Sequence, residues 1–320
     1  MTGLAARVKA EAGRLGFLAC GVAPLGPNPQ ADALDRWLKA GFGGTMTYLN
    51  RQAKKRKDTR VADPQAKVAV VVLDRYHDGS PTRLPAEPPT RPRIARYARG
   101  RDYHDVVGDR LELLAAHLKT LGARHTRVYV DTGPVPEREL ARRAGLGWIG
   151  KNTMLIRPGV GSWFFIGVVL TDLDLPDDAG FEPDHCGTCT RCLDACPTGA
   201  FVSERVLDAT KCLSYQTIEW KREIPAELAA NAAGWAFGCD ICNEVCPWNE
   251  RFAGGPVHPD LTDQHWIPAE AGRDYFDRMT EEEFHVRFDH TPLERTGLVR
   301  MRRNWTMAWN SLLHGQGSRS

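Results

Sequence analysis

The 320-residue sequence lacks the features of a membrane or exported protein. No apolar run reaches the roughly 18 residues that a helix needs to cross a bilayer. Residues Phe17–Cys20 loosely resemble a lipoprotein cleavage site, but Glu11 and Arg14 leave too short an apolar stretch before it for a secretory signal. No twin arginine lies near the start either. We therefore predict a soluble cytoplasmic protein that contacts no membrane.

A strong excess of one charge is also missing, because 42 Lys and Arg residues face 40 Asp and Glu residues, a net charge of +2. Any surface for a polyanion must therefore be local. Two dense basic stretches occur, at residues 51–57 and 91–101, and the second interleaves Tyr97 with arginines. This composition suits phosphate contacts and base stacking, so an RNA substrate is one interpretation; a solvated charged face is the other.

Apolar patterns predict the order of structure in the first half. The best helix is Tyr103–Leu121, which has apolar residues at three- and four-residue spacing. Candidate strands separated by helical segments are Phe17–Val22, Lys67–Leu73, Thr126–Val130 and Trp163–Leu170. Strands separated by helices predict an α/β or α+β catalytic domain over residues 1–175. The proline-rich stretch Ser80–Arg93 is interpreted as an excursion loop within it.

Two further regions follow. A cysteine-rich module is expected over residues 176–250, after an acidic linker. A helical extension is expected over residues 251–320, with helices at Glu281–Phe288 and Arg300–Leu313.

Eight of the nine cysteines lie between residues 186 and 246. Disulfides are rare in the cytosol, so this clustering indicates metal. The first motif is the bacterial ferredoxin run, in which three thiolates hold one 4Fe-4S cluster and the fourth, before proline, holds the other. It consists of Cys186-x2-Cys189-x2-Cys192-x3-Cys196-Pro197.

The second cysteine motif is irregular. It reads Cys239-x2-Cys242-x3-Cys246-Pro247, with Ala236 where the first cysteine should stand. Cys212 is the spare cysteine that replaces it, and eight ligands then make two complete sets. The predicted ligands are Cys186, Cys189, Cys192 and Cys246 for cluster one, and Cys196, Cys212, Cys239 and Cys242 for cluster two. Structural zinc, which also uses Cys-x2-Cys pairs, is the alternative.

Two other patterns near the middle of the chain imitate known motifs. Residues Gly145–Asn152 match G-x-G-x-x-G and nearly match a P-loop, but helical residues precede them, so we predict a helix C-cap instead of a nucleotide site. Asp102 to Gly108 is one residue away from a cobalt-ligating histidine pattern. We expect Asp102 to cap the following helix and His104 to face a pocket without binding cobalt.

The segment from Asp131 to Arg138 is the stronger candidate site. A predicted strand ends at Asp131, a tight turn follows, and a helix begins near Pro136. Ligands of open α/β sheets gather at the carboxyl ends of strands. A partly desolvated carboxylate there is a candidate general acid with a raised pKa. The alternative is a carboxylate that caps the turn or pairs with Arg138.

Several segments together resemble the epoxyqueuosine reductases, over about residues 4 to 250. They are residues 96–104 (RYARGRDYH), 131–138 (DTGPVPER), 145–154 (GLGWIGKNTM) and the irregular cysteine set with residues 212–215 (CLSY). The resemblance implies a nitroreductase-like α/β domain related in fold to reductive dehalogenases, then a two-cluster ferredoxin-like domain and a short helical tail. Longer members continue into HEAT-like repeats, and residues 297–304 look like the start of one.

The same resemblance implies an activity and its residues. The expected reaction reduces epoxyqueuosine to queuosine at the wobble position of tRNA, with electrons passing from the two clusters to base-off cobalamin. Asp131 matches the family's proton donor. The residues expected to contact the cofactor are Arg56, His104, Arg138, Met154, Lys211 and Ser214. Expected partners are a tRNA anticodon stem-loop and an external electron donor, and we expect a monomer.

Two other classes of function stay open at this point. One is a cobalamin-dependent reductase of a small molecule, similar to reductive dehalogenases; the missing export signal and the basic stretches count against it. The other is an electron-transfer protein of the ferredoxin type, in which the first domain serves only for docking. A bound corrin would exclude that second alternative.

Overall fold

The structure, a computed structural model, describes residues 3–80 and 90–317. Most of the predicted excursion loop, residues 81–89, therefore lies outside the described residues. The strands are β1 Ala19–Pro24, β2 Val68–Arg75, β3 Arg93–Ile94, β4 Thr126–Val130, β5 Trp148–Ile149, β6 Leu155–Ile156, β7 Phe164–Thr171, β8 Phe201–Ser203, β9 Val206–Leu207 and β10 Trp235–Phe237.

Fourteen α-helices lie in the described part of the chain. They are α1 Leu4–Arg14, α2 Ala31–Lys39, α3 Thr47–Arg51, α4 Ala53–Lys57, α5 Thr59–Ala62, α6 Tyr103–Thr120, α7 Glu137–Arg143, α8 Arg191–Asp194, α9 Leu213–Ile218, α10 Ala226–Ala230, α11 Ile241–Glu244, α12 Pro247–Phe252, α13 Glu281–Phe288 and α14 Gly297–Gly317. Among the described residues, no helix combines the length and the apolar character needed to span a membrane.

The central sheet has the order β1-β2-β7-β4. Its strands are the four predicted ones, each displaced by two residues or fewer. All three strand pairs are antiparallel, so the sheet is of the α+β kind. The rule for open parallel sheets therefore does not explain where Asp131 lies. Alternating strands and helices do not fix strand direction, because a connection that contains helices can return on either side.

Helices cover both faces of this sheet. Every residue of β2 is buried, as a central strand between two helical layers requires. Helices α1 and α6 pack on one face and α7 on the other. Helix α6 begins where the Asp102 carboxylate accepts the backbone N–H of His104 at 2.9 Å. Such a cap typically stabilises a helix by about 1 kcal/mol, and it fixes the start of α6 beside the end of β4.

The cysteine-rich module interlocks with the first domain. Strand β10 pairs in parallel with β3, and Ala236, the residue that stands in the place of a cysteine, is fully buried in β10. A buried amide network also crosses the boundary: Asn152 donates to Asn243 at 3.3 Å, and Asn249 donates to Ser162 at 2.8 Å. Buried polar groups that satisfy one another in this way hold two surfaces in one arrangement. The network therefore fixes how the first domain and the cysteine-rich module face each other across the space between them.

Candidate active site

A cavity of about 910 Å³ lies between the central sheet and the cysteine-rich module. The sheet contributes Tyr76 after β2, Phe164 at the start of β7 and Asp131 after β4. These positions meet because antiparallel pairing places the end of β2 beside the start of β7. The volume lies within the range of small-molecule and cofactor sites.

Asp131 occupies a strained turn at the cavity wall. Its φ of 56° lies in the left-handed region, which disfavours residues other than glycine. At the nearby Gly133, a Cβ would stand 2.3 Å from the Tyr129 ring, so the turn requires glycine there. The Tyr103 hydroxyl donates to Asp131 Oδ2 at 2.9 Å, and its ring stacks on Phe165 with centroids 4.2 Å apart. Tyr103 therefore supports the carboxylate from a rigid position.

His104 forms an ion pair with Asp131 and is held from behind by Asp102. His104 Nε2 lies 3.6 Å from Asp131 Oδ2, and its Nδ1 lies 2.7 Å from Asp102 Oδ1. Burial of the imidazole opposes its protonation, but the two carboxylates outweigh this and raise the pKa of His104 to about 9. His104 is therefore an imidazolium at neutral pH.

The charge state of Asp131 differs from the one expected from the sequence. Although 56% of its side-chain surface is accessible, that surface faces the cavity, and surrounding protein groups desolvate the carboxylate. Burial acts to raise the pKa of Asp131, yet His104, the Tyr103 hydroxyl and Arg138 outweigh it and lower this pKa. The expectation of a raised pKa is therefore wrong, because the favourable partners were not visible in the sequence. Asp131 is ionised: it accepts the Tyr103 hydroxyl at 2.9 Å, and the nearest protonated cation is His104 at 3.6 Å.

Glu137 is a second carboxyl group of the cavity, and the sequence did not single it out. It lines the cavity as the first residue of α7, and its Oε1 is buried without a hydrogen-bond partner among the described residues. Burial and the neighbouring negative charge of Asp131 raise the pKa of Glu137 to about 8. The only signal in the sequence was its place in the Asp131 turn.

The structure brings together most of the residues predicted to hold the cofactor. Arg56, Arg138, Met154 and Ser214 all line the cavity. Arg56 also donates to the backbone carbonyls of Gly133 at 2.9 Å and Val135 at 3.2 Å. It therefore fixes the turn that carries Asp131.

Two of the predicted residues lie off the cavity. His104 stands behind Asp131, and Lys211 is exposed in a 3-10 turn, Ala209–Lys211. Conversely, Arg295 from the C-terminal extension lines the cavity and pairs with Glu219 at 2.5 Å. Nothing in the sequence linked Arg295 to the site, because it lies 164 residues beyond Asp131 and only the fold brings it there.

None of the nine cysteines, all of which lie among the described residues, forms a disulfide. Cys192 lies near Cys246, Cys186 and Cys189, the other cysteines predicted for cluster one. Cys239 lies near Cys242 and Cys212, and Cys242 lies near Cys212 and Cys196 but also near Cys192. The division of the eight cysteines between two clusters therefore stays a prediction. Only the set predicted for cluster two lines the cavity: Cys196, Cys212, Cys239 and Cys242.

We call the four cysteines that line the cavity the inner set, and Cys186, Cys189, Cys192 and Cys246 the outer set. The outer set lies beside an aromatic cluster. The Trp148 indole donates to Cys186 Sγ at 3.4 Å, and its ring packs against Trp248 and Phe181. In the described residues, no three His, Cys, Asp or Glu side chains converge on one point as a single metal ion needs.

The structure shows how the glycine-rich segment and the second basic stretch of the sequence are used. Gly145 follows α7 with a φ of 70°, so the glycine-rich segment is the predicted helix C-cap. In the second basic stretch, Arg93 lies over the Trp235 ring, Arg99 donates to Ile94 O at 3.0 Å and Arg101 pairs with Asp260 at 3.3 Å. These three arginines serve the fold, whereas Arg91 is exposed, so an interpretation as phosphate contacts rests mainly on the first stretch.

Comparisons with known proteins agree with this arrangement. Residues 56–132 match the family described as "Epoxyqueuosine reductase QueG, DUF1730", and residues 185–249 match a 4Fe-4S double cluster binding domain. A protein of Cyclobacterium marinum named epoxyqueuosine reductase is 40% identical over 93% of this chain and 94% of its own length. The chain belongs to the epoxyqueuosine reductase family.

Solved structures of this family superpose closely. An epoxyqueuosine reductase crystallised with an epoxyqueuosine-modified tRNA stem loop has a TM-score of 0.83 at 29% identity, covering 97% of this chain and 82% of that one. The Bacillus subtilis epoxyqueuosine reductase, solved with its aspartate-bearing catalytic loop swung out of the active site, has a TM-score of 0.84 at 28% identity, with coverage of 97% and 82%. The family assignment confirms the resemblance, and the family is one of oxidoreductases.

Proposed function

We propose that this chain reduces epoxyqueuosine to queuosine at the wobble position of tRNA. The observation that carries the proposal is one cavity that has Asp131, paired with His104, on one side and four cysteines of the cysteine-rich module on the other. A reductase of an epoxide needs both, because the departing oxygen must be protonated while electrons arrive. The family relatives are named for this substrate, and one was crystallised with the modified stem loop.

Asp131 is the proton donor of this proposal. It lines the cavity, and the imidazolium of His104 lies 3.6 Å away, so a proton can pass from His104 to Asp131 as negative charge develops on the substrate oxygen. A positioned donor typically contributes a factor of about 10² to 10⁴, because it avoids release of a bare alkoxide. The catalytic loop of the Bacillus subtilis relative also carries an aspartate, which supports the assignment.

The two cysteine sets are proposed to hold two 4Fe-4S clusters. The inner set borders the cavity and the outer set lies farther out, which is the order that electrons from an external donor would follow. Eight thiolates in two groups satisfy the ligand requirement of both clusters.

The cavity also fits base-off cobalamin, which supplies a low-valent metal centre for two-electron chemistry when bound. Arg138, Met154 and Ser214 are the side chains that would hold it, and Arg56 would act by fixing the Asp131 turn. Lys211, which lies off the lining, is the weakest of the predicted contacts.

The tRNA partner is proposed to lie across the mouth of the cavity. Arg51, Lys54 and Lys55 are exposed on α3 and α4, next to the cavity residue Arg56. Lysine and arginine side chains at such a mouth would contact phosphates and so set the register of the stem loop without reading its sequence.

The test is an anaerobic turnover assay with reconstituted protein, with and without cobalamin, on an epoxyqueuosine-containing anticodon stem-loop. Nucleoside products are identified by mass. We expect queuosine that appears only with cobalamin and a reductant. Absence of product despite intact clusters and bound corrin would contradict the proposal and indicate a reductase of a small molecule. Failure to bind corrin would indicate an electron-transfer protein.

A further inference from the structure

Two glutamates of helix α7 differ in whether their carboxylate oxygens have hydrogen-bond partners. Glu139 is buried and satisfied: its Oε2 accepts from Arg142 at 3.0 Å and its Oε1 from Arg143 at 2.9 Å. Glu137 lines the cavity, and its buried Oε1 has no hydrogen-bond partner in the part of the chain that the structure describes. A buried polar atom without a partner needs an explanation, and at a cavity wall a role in the reaction supplies one.

The charges around Glu137 favour its neutral form. Asp131, on the turn before α7, is ionised and repels a second negative charge. Arg138 and Arg56, the cations that face Glu137, oppose this only in part, since Arg56 donates to the Gly133 and Val135 carbonyls. Together with burial, these groups raise the pKa of Glu137 to about 8, so its carboxyl keeps its proton at neutral pH.

The proposed reaction needs two protons. Epoxyqueuosine is queuosine with an oxygen added across a carbon–carbon double bond, so its reduction breaks both carbon–oxygen bonds and restores that double bond. Two electrons enter, from a low-potential one-electron reductant acting twice through the iron–sulfur module. Two protons are consumed and the oxygen leaves as water. The Asp131–His104 pair can deliver one proton per turnover, which leaves the second without a donor.

We propose that Glu137 is the second proton donor of this cavity. Asp131, supplied by His104, protonates the oxygen when the first carbon–oxygen bond breaks. The neutral carboxyl of Glu137 protonates the resulting hydroxyl when the second bond breaks, and water leaves. Glu137 and His104 then each recover a proton from solvent, and Asp131 returns to its ionised resting state. This inference rests on the proposed function and names a further residue for it.

The first experiment measures single-turnover rates of pre-reduced holoenzyme with the epoxyqueuosine stem-loop from about pH 6 to about pH 10. A donor acts only when protonated, so the wild-type rate should fall as pH rises through the pKa of Glu137, about 8. Glu137→Gln should be slower by roughly 10²-fold at neutral pH and should lack this decline. Its rate should fall only at the higher pKa of His104, about 9. Glu137→Asp should restore the lower decline and part of the rate.

A matched control is Glu112→Gln, the same substitution at an exposed position of α6, which should keep the wild-type rate and pH profile. A wild-type enzyme that forms no queuosine would overturn the proposed function and the donor role with it. An active wild type alongside a Glu137→Gln variant with the same rate and pH profile would overturn the role of Glu137 alone.

The second measurement needs no turnover. Infrared difference spectra of the holoenzyme should show a protonated carboxyl band at neutral pH that disappears as the pH passes about 8. The band should be missing in Glu137→Gln and present in Glu112→Gln. If the band is absent from the wild type, Glu137 is ionised and cannot be the donor. A merely structural glutamate that caps α7 would be ionised and would show no such band.

Discussion

The two walls of the cavity differ in how they are built. The proton wall, which consists of Asp131 and Glu137 with His104 behind Asp131, comes from the first domain, within 34 residues of sequence. The sulfur wall, which consists of Cys196, Cys212, Cys239 and Cys242, is assembled from three separate segments of the module. One wall contains groups that exchange protons and the other contains metal ligands. Substitutions on one wall should therefore leave the signature of the other unchanged, which can be tested from both sides.

The largest effect is expected on the sulfur wall. Cys242→Ser should remove cluster two, because a thiolate ligand is lost from a complete set of four. We expect about half of the iron and no detectable turnover, since electrons no longer reach the cavity. Iron content and low-temperature paramagnetic resonance of the reduced protein measure this.

Cys20→Ser is the control for this substitution, because Cys20 lies partly buried in β1 and belongs to neither set. It should retain all iron and full activity. Full iron content in Cys242→Ser would contradict the ligand assignment.

The next effect is expected on the proton wall. Asp131→Asn cannot pass a proton to the departing oxygen, so turnover should fall by about 10² to 10⁴. Iron content and cluster spectra should be unchanged, because the polar partners of Asp131 are Tyr103 and His104, which are not cluster ligands. The measurement is the single-turnover rate of queuosine formation. Asp109→Asn, at an exposed position of α6, is the control and should turn over normally. A fully active Asp131→Asn would show that another group is the acid.

His104 links the proton wall to stability. Because the pKa of His104 is raised to about 9 from 6.5, its contribution is fully present below pH 6.5 and is lost as pH rises through about 9. Burial and nearby groups make about 3 kcal/mol an upper estimate of this contribution. His104→Gln should therefore reduce the free energy of unfolding at about pH 6 and converge with the wild type near pH 10.

Urea unfolding of the anaerobic holoprotein at both pH values measures this difference. His285→Gln, exposed on α13, should show no pH-dependent change relative to the wild type. A constant difference between His104→Gln and the wild type at both pH values would mean that packing, and not the ion pairs, explains the effect.

The sulfur wall was largely predictable from sequence, because cysteine spacing states the ligand logic directly. Even the irregular replacement of Ala236 by Cys212 followed from counting ligands, and Cys212 lies near Cys239 and Cys242. The four central strands and helix α6 were predictable for a similar reason, since apolar periodicity reports burial. Strand direction was not, because local patterns carry no information on which neighbour a strand will join.

The proton wall was only half predictable. Asp131 stood out by its place after a strand, but its charge depends on the Tyr103 hydroxyl and on His104, which approach from another element. Glu137 Oε1 likewise has no hydrogen-bond partner among the described residues, because the nearby Arg56 donates to the Gly133 backbone carbonyl instead. A pKa is a property of all the groups that surround a residue, so a single motif cannot reveal it.

The smallest predicted effect separates the two cysteine sets. The Trp148 N–H donates to Cys186 Sγ at 3.4 Å, and no indole donates to a sulfur of the inner set in the described residues. Hydrogen bonds to cluster sulfurs stabilise the reduced, more negative state. Trp148→Phe should lower the potential of the outer cluster by roughly 40 mV, equivalent to about 1 kcal/mol for one electron. The potential of the inner cluster should not change.

Potentiometric titration with paramagnetic resonance detection measures both clusters in one sample. Trp248→Phe is a matched control, because the Trp248 indole belongs to the same aromatic cluster but donates to the His185 carbonyl at 3.4 Å and not to sulfur. An equal shift in both variants would assign the effect to lost aromatic shielding and not to the hydrogen bond. A shift only in Trp148→Phe would show that this domain tunes the outer cluster, so the first domain controls electron entry as well as proton delivery.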